Sequence, residues 1–207
     1  SYRINEHHRL AANFLYTRFM RDSQDPLKHV DIRNLEDTRF ANKSIGGFGY
    51  DFNGLNNRLK FSTFYKYLHQ AVEVVEYKKA SDQAEVELNR VDRDVQADGF
   101  GFTMAYELLP NVLLLTSAER SFRMPASREL FGNLAENLEP NYGLKPEKSK
   151  NLNVGITLGT YAFGKHETRL QINTFIRDTQ DKIKRNVRED DTDETTEYIN
   201  DDSYISK

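Results

Sequence analysis

The chain has 207 residues, a formal net charge of −3, 38% hydrophobic residues and 29% charged residues. A chain of this length forms one all-β domain or two small domains, and its hydrophobic fraction is low for a protein built around a large packed core. Positive and negative residues interleave, so the sequence shows no basic patch of the kind that binds nucleic acid. The absence of cysteine excludes disulfides, thiolate catalysis and cysteine-bound metals within this chain.

No apolar run approaches the ~18 residues that a membrane-spanning helix requires. The first ten residues, SYRINEHHRL, lack the apolar segment of a signal peptide. If the protein is exported, we expect its targeting signal to lie outside this sequence.

Alternating apolar and polar residues predict β-strands from the start of the chain, and no segment shows a sustained helical period. The first three strands are predicted over residues 8–17, 38–52 and 58–77. Residues 53–57 between the second and third strands are rich in Asn and Gly, which tolerate positive φ in turns.

Four further strands are predicted in the second half of the chain. They cover residues 99–108, 112–122, 151–159 and 168–175, and the end of the chain starts an eighth. The clearest is 151–159, where Leu, Val, Ile and Leu alternate with Asn, Gly, Thr and Gly. The sequence therefore predicts an all-β, antiparallel up-and-down meander of seven or eight strands.

The predicted connections alternate in length. Long ones at 21–36, 78–94, 123–149 and 186–197 alternate with short turns at 53–57, 109–111 and 160–167. Outer-membrane barrels have short periplasmic turns and long external loops, although soluble lipocalin-like barrels also have unequal rims. Several strands exceed the ~9–11 residues that cross a bilayer, which predicts a sheet projecting beyond the membrane on the long-loop side.

The direction of the apolar face separates a membrane barrel from a soluble one. Apolar residues point outward to lipid in a membrane barrel and inward in a soluble sandwich or barrel. Two groups of aromatic residues, counted about eight residues apart along the strands, match the aromatic girdles of a membrane barrel. The group beside the short turns is Tyr50, Phe52, Tyr106, Tyr161 and Phe163, and the second is Tyr65, Tyr67, Phe100 and Phe102.

Residues 121–156 carry a family resemblance. The pattern FR-x-P-x-x-x-EL, a long loop, LKPEKS-x-N and an alternating strand resembles the barrel of TonB-dependent outer-membrane receptors. The residues that carry it are Phe122, Arg123, Pro125, Glu129, Leu130, Leu144, Lys145, Pro146, Glu147, Lys148, Ser149 and Asn151. A weaker similarity extends over most of the chain, but the family's N-terminal plug domain and its terminal strand ending in an aromatic residue are not found in it.

The resemblance implies that residues 1–207 are a single partial barrel from the bacterial outer membrane. It implies non-enzymatic uptake of a scarce small molecule or metal chelate, such as a siderophore, haem, cobalamin or saccharide. It also implies contact with lipid and with a TonB-like energy transducer through parts of the protein outside this sequence. A segment cut from a larger barrel has two unpaired edges, so we expect it to close into a narrower barrel or to self-associate. A soluble all-β ligand-binding barrel and an outer-membrane enzyme barrel remain the alternatives.

No catalytic, cofactor-binding, metal-binding or substrate-binding residue is assigned from the sequence. Arg120, Arg123 and Arg128 could draw an anionic ligand toward the lumen, but pairing with Glu119, Glu129 and Glu136 is favoured. A hydrolytic pair such as Glu107 with Glu119 remains open. Other motifs are interpreted structurally: surface histidines (His7, His8, His29, His69 and His166), a solvated acidic loop at 189–194, and strand glycines at 46–49.

Overall fold

The computed structural model describes residues 1–23, 30–32, 34–79, 84–133, 136–189, 194–202 and 204–206. Almost all of the regular structure in these residues is antiparallel β-strand. The elements are β1 (Tyr2–Arg3), β2 (His8–Ser23), β3 (Asp37–Gly54), β4 (Leu59–Lys78), β5 (Glu87–Leu109), β6 (Val112–Arg123), α1 (Ser127–Phe131), β7 (Leu138–Glu139), β8 (Glu147–Phe163), β9 (His166–Gln180), β10 (Lys182–Glu189), β11 (Glu194–Asp201) and β12 (Tyr204–Ser206). No helix among the described residues is long and apolar enough to cross a membrane.

The main sheet confirms the predicted meander. Nine strands pair in the order β1-β2-β3-β4-β5-β6-β8-β9-β12, and each pair is antiparallel. The seven long strands of this sheet correspond to the seven strands predicted from alternation. A second sheet of three strands, in the order β10-β11-β7, was not predicted.

Three predicted connections are shorter than expected. The first strand continues to Ser23, β5 already begins at Glu87, and residues 188–197 belong largely to a hairpin of β10 and β11 rather than to a loop. These strand ends contain charged residues, so their apolar alternation is interrupted and does not predict a strand. The expected strand length is confirmed, since β3, β4 and β5 have 18, 20 and 23 residues.

The pairing register separates two faces of the main sheet. We call the face that contains Phe48, Phe102 and Ile172 the outer face, and the face that contains Leu68, Thr103 and Asn153 the inner face. Residues directly opposite each other on paired strands share a face. On the outer face Phe102, Leu170 and Ile172 are 38%, 52% and 56% exposed, so they do not gather in a dry centre.

The aromatic residues lie on the outer face, but not in two groups eight residues apart. Phe102 pairs with Thr63, which pairs with Tyr50, so members of the two predicted groups lie in one row. The prediction is wrong because separation along one strand does not give the height of a residue in the sheet. That height depends on which residues of neighbouring strands are paired. A bulge between Leu158 and Tyr161 keeps Tyr161 on the outer face, opposite Thr168.

The nine-stranded sheet is open, so the expected closure into a narrower barrel is wrong for the described residues. At one edge β1 covers only Leu10 and Arg9 of β2, and at the other β12 covers only Arg177, Asp178 and Thr179 of β9. No pairing joins β2 to β9 in the described part of the chain. Association through these edges stays a prediction.

Candidate lumen-facing site

The inner face changes character along β4. Near the short turn it carries Lys60 and Ser62, whereas further along it carries Leu68, Val72 and Val74, which are 7%, 2% and 0% exposed. The apolar alternation therefore moves from the odd to the even positions of this strand. The buried positions need apolar partners, because water cannot be their neighbour at such low exposure.

Those partners come from residues 124–146, which we call the inner connection. It follows β6, contains α1 and β7, and precedes β8. Its apolar side chains join the inner face of β3 and β4 in a buried cluster together with Ile183 of β10. The members are Ala41, Val72, Val74, Leu130, Phe131, Leu144 and Ile183. The prediction of residues 123–149 as a loop therefore missed both a helix and a packed element.

Helix α1 places Phe131 against the sheet. The ring of Phe131 stacks on Phe19 of β2 at 5.4 Å between centroids. The helix begins with the Ala126 N–H donating to the Glu129 carboxylate at 2.7 Å, which is one half of a capping box. It ends at Gly132, whose φ of +63° favours glycine. A Cβ at this position would lie 2.3 Å from the Leu138 carbonyl oxygen, so no other residue fits without a shift of the backbone.

Polar contacts fix the connection to three strands of the main sheet. The Gln70 side chain donates to the Pro125 carbonyl oxygen at 3.1 Å, and Arg21 of β2 donates to the Gly132 carbonyl oxygen at 3.3 Å. Arg93 of β5 donates to the carbonyl oxygen of Tyr142. Together with the apolar cluster, these bonds hold the inner connection on the inner face.

A buried ion pair lies beneath the same segment. Arg39 of β3 donates to Glu76 of β4 at 2.9 Å, and the two residues are 8% and 6% exposed. Asp37 lies 4.0 Å from the guanidinium. The Tyr142 hydroxyl donates to the same Glu76 oxygen, and burial together with that carboxylate raises the pKa of Tyr142 above its ordinary value.

A second set of ion pairs lies where β6 ends and β8 begins. Arg123 donates to Glu129 at 3.0 Å and to Glu147 at 2.9 Å, and Glu147 also accepts from the Ile183 N–H at 3.1 Å. Burial alone would raise the pKa of Glu147, but these hydrogen bonds outweigh it and the pKa is lowered. The motif residues Arg123, Glu129 and Glu147 therefore bring β6, α1, β8 and β10 together.

The three arginines of the predicted basic cluster do not converge. Arg123 pairs with Glu129, as favoured from the sequence, and with Glu147, which sequence reasoning missed. Arg128 pairs with Glu136, also as favoured. Arg120 lies on the outer face, where its guanidinium is 5.1 Å from the Phe122 ring.

The possible hydrolytic pair is not assembled. Glu119 lies opposite Gly101 of β5, and Glu107 lies about 20 Å further along that strand at ~3.3 Å per residue. A pair of catalytic carboxylates lies within ~10 Å. Glu107 and Glu119 are therefore too far apart for that role.

Among the described histidines, His7 and His8 are neighbours where β2 begins, whereas His69 and His166 lie in β4 and β9. His8 is 2.7 Å from the Tyr50 hydroxyl and His69 is 2.9 Å from an Asp94 oxygen. His29 and most of the acidic stretch 189–194 fall outside the described residues. Within the described part of the chain no group of three or more His, Asp or Glu side chains is placed to hold a metal ion. Residues 46–49 are strand glycines and Phe48 in β3, as predicted.

Between the inner connection and the short turns, the inner face carries two open cavities whose linings mix polar and apolar residues. One of about 460 Å³ is lined by residues of β4, β5, β6, β8 and β9, including Lys60, Thr103 and Asn153. The other, of about 410 Å³, includes Lys43, Lys66 and Met124 in its lining. Among the described residues, neither Lys43 nor Lys66 has a carboxylate within ion-pair distance. Hydroxyl, amide and ammonium groups on such a wall can bind water or solute.

The chain resembles known proteins in both sequence pattern and fold. Residues 91–206 match the family described as TonB dependent receptor-like, beta-barrel. A structure of the Serratia marcescens hemophore receptor HasR, in complex with its hemophore HasA and heme, aligns with a TM-score of 0.58 and 17% identity over 99% of this chain. The copper transporter OprC aligns with a TM-score of 0.68 and 14% identity over 94% of this chain. No curated protein sequence matches significantly.

The alignments cover 36% of the HasR chain and 31% of the OprC chain, so this sequence spans about a third of either protein. At these identities the structural likeness shows the fold, while the sequence match covers more than half of the residues. The motif at 121–156 lies within the matched range. The chain belongs to the TonB-dependent receptor-like β-barrel family.

Proposed function

We propose that this chain forms part of the barrel wall of a TonB-dependent transporter in the bacterial outer membrane. Its outer face meets lipid, its inner face lines the lumen, and the short turns lie on the periplasmic side. No residue of the chain transforms the cargo. Energy for transport comes from a TonB-like partner that contacts parts of the protein outside this sequence.

The observation that carries this proposal is the contrast between the two faces. Large apolar side chains are exposed on the outer face, whereas the cavity on the inner face has polar side chains such as Lys60, Thr103 and Asn153 among its apolar lining residues. A soluble barrel would bury the apolar face, so the same contrast counts against that alternative. The inner connection further marks the inner face as the side on which other protein segments pack.

The cargo is a scarce small molecule or metal chelate that enters from the long-loop side. The siderophore, haem, cobalamin and saccharide classes all remain candidates. The complex of HasR with heme and the copper transport named for OprC support cargoes that contain or carry a metal. Lys43 and Lys66 on the inner face, which form no ion pair among the described residues, add attraction for an anionic cargo.

Cysteine labelling of the full-length protein tests the two faces. This chain has no cysteine, so single substitutions introduce unique labels within it. We expect a water-soluble thiol reagent to modify Thr103→Cys and Asn153→Cys in intact outer membranes. We expect a polarity-sensitive fluorophore on Phe102→Cys and Ile172→Cys to be quenched by lipids with brominated chains.

Phe102 and Thr103 make a matched pair, because they are neighbours on β5 that point to opposite faces. The reverse result, with Thr103→Cys quenched by lipid and Phe102→Cys modified from water, would overturn the proposal. Recovery of the full-length protein in the soluble fraction would do the same.

A further inference from the structure

Two cations face each other on the outer face. Arg120 of β6 is directly opposite Lys150 of β8, in the row that also contains Phe100. Both side chains are exposed. Because they share a face with Phe102 and Ile172, they point toward the membrane rather than toward the lumen.

Their position coincides with the end of the apolar band. The outer-face residues of β8 from Phe163 to Leu152 are almost all apolar, and Lys150 is the next outer-face position. At ~3.3 Å per residue and a tilt of ~40°, this band extends about 28 Å along the membrane normal, close to the ~25 Å band of outer-membrane barrels. Ala118 of β6 is likewise the last apolar position before Arg120. The two cations therefore lie at the level of the lipid headgroups on the long-loop side.

No ion pair within the described part of the sheet neutralises these two cations, although the Arg120 guanidinium lies over the Phe122 ring. Like charges directly opposite each other destabilise a strand pair. Among the described residues, neither Arg120 nor Lys150 has a carboxylate within 4.0 Å, although Asp178 faces Lys150 from β9. The neighbouring Lys148, by contrast, pairs with Asp181 at 3.1 Å. An external anion between Arg120 and Lys150 would remove the repulsion.

The chemistry of the pair selects the kind of anion. The Arg guanidinium offers a planar fork that binds phosphate oxygens, and the Lys ammonium adds a second charge. A phosphomonoester carries between one and two negative charges at neutral pH, which matches two cations better than the single charge of a phosphodiester. The apolar residues directly below, Leu152 and Val154, offer a surface for acyl chains.

We propose that Arg120 and Lys150 bind the phosphomonoester headgroup of a lipid in the outer leaflet. The lipid's acyl chains lie along Leu152, Val154 and Ile156. The site rests on the proposed function, because it requires the outer face to meet the membrane. It adds a specific lipid contact that barrel formation alone does not require.

Fluorescence quenching by brominated lipids measures this contact in the full-length protein. A fluorophore on Thr174→Cys, which is opposite Val154 on the outer face, reports the local lipid. The protein is reconstituted in vesicles of phosphatidylcholine that contain brominated phosphatidic acid, brominated phosphatidylglycerol or brominated phosphatidylcholine. We expect phosphatidic acid to bind about tenfold more tightly than phosphatidylcholine.

The double variant Arg120→Ala/Lys150→Ala should lose this preference. The matched control, Lys43→Ala/Lys66→Ala, removes the same charge from the inner face and should keep it. The conservative variant Arg120→Lys/Lys150→Arg should retain most of the preference, which separates loss of the anion site from damage to the sheet.

Each result separates this inference from the proposed function. If brominated phosphatidylcholine quenches the label but phosphatidic acid shows no preference, or the preference survives in Arg120→Ala/Lys150→Ala, the phosphate site is wrong and the membrane assignment stands. Equal binding of phosphatidylglycerol would overturn the phosphomonoester assignment. If no brominated lipid quenches the label, the proposed function itself fails.

Discussion

At the residue scale, burial separates two ion pairs formed by β4. Glu76 and its partner Arg39 point inward and are 6% and 8% exposed. Glu73 and its partner Arg90 point outward, with side chains 47% and 61% exposed. The two glutamates lie three residues apart on the same strand, and residues an odd number of positions apart on a strand point to opposite faces.

We predict that Glu76→Ala destabilises the protein far more than Glu73→Ala. Removing Glu76 leaves the Arg39 charge buried and also removes the acceptor of the Tyr142 hydroxyl, which costs about 3 kcal/mol. Removing Glu73 breaks an exposed pair worth ~0–1 kcal/mol. Urea unfolding of the full-length protein in lipid vesicles measures both changes, and equal losses would contradict the buried network.

The lowered pKa of Glu147 predicts a dependence of stability on acid. A carboxylate whose pKa is lower in the folded state contributes stability above its unfolded-state pKa of about 4.3, and this contribution disappears as pH falls through the folded-state value. We therefore expect Glu147→Gln to be less stable than the unmodified protein at pH 7. The difference should shrink as the pH is lowered below about 4.

Glu139→Gln serves as the matched control for this titration. Glu139 is an exposed carboxylate in β7 of the inner connection, so its substitution should change the unfolding free energy little. A Glu147→Gln deficit that stays constant from pH 7 to acid would show that the carboxylate charge is not what holds Ile183 and Arg123 in place.

At the element scale, the inner connection behaves as a packed unit anchored by Phe131. Phe131 is 2% exposed and stacks on Phe19. We predict that Phe131→Ala costs about 3–5 kcal/mol of local packing and releases the connection while the long strands stay paired. Trypsin cleavage after Arg128, followed in intact membranes, measures the release.

Phe48→Ala is the control for Phe131→Ala. Phe48 is 52% exposed on the outer face, so its truncation should leave the cleavage rate at Arg128 unchanged. Similar rates for the two variants would show that the inner connection does not depend on its aromatic anchor.

Residues 151–159 and the inner connection show what the sequence could and could not predict. Residues 151–159 were predicted as a strand because one face is apolar and the other polar, which local alternation records directly. Helix α1 has five residues, too few to show a helical period. The packing of the inner connection was visible only as the apolar phase change at Leu68, Val72 and Val74. That change signals a covered inner face, but it does not identify what covers it.

The β10–β11 hairpin was missed for a different reason. Its residues are mostly charged or polar, and only a few of them, such as Ile183 and Tyr198, reach the buried cluster, so the strands show no continuous apolar face. The parallel pairing of β11 with β7 depends on the fold of the inner connection. Pairing between segments that are distant in the chain leaves no pattern in the local sequence.

At the scale of the whole molecule, the open sheet is complete only with further strands. The chain spans about a third of either solved relative reported above. Among the described residues, most of β2 at one edge of the sheet and most of β9 at the other have a paired strand on one side only. Unpaired backbone groups at such an edge are satisfied by pairing with another strand, especially where lipid excludes water.

We predict that residues 1–207 alone self-associate in detergent or lipid, whereas the full-length protein does not through these edges. Light scattering in detergent should give a mass for residues 1–207 that rises with concentration.

Oxidation of an Asn13→Cys/Asn173→Cys variant should produce chains crosslinked from β2 of one copy to β9 of the next, because these residues lie on the inner face of the two edge strands. Full-length protein carrying the same cysteines is the control, since its edges pair with its own neighbouring strands. A strict monomer of residues 1–207 at every concentration would mean that the edges are protected, and the barrel would then not need the missing strands to satisfy them.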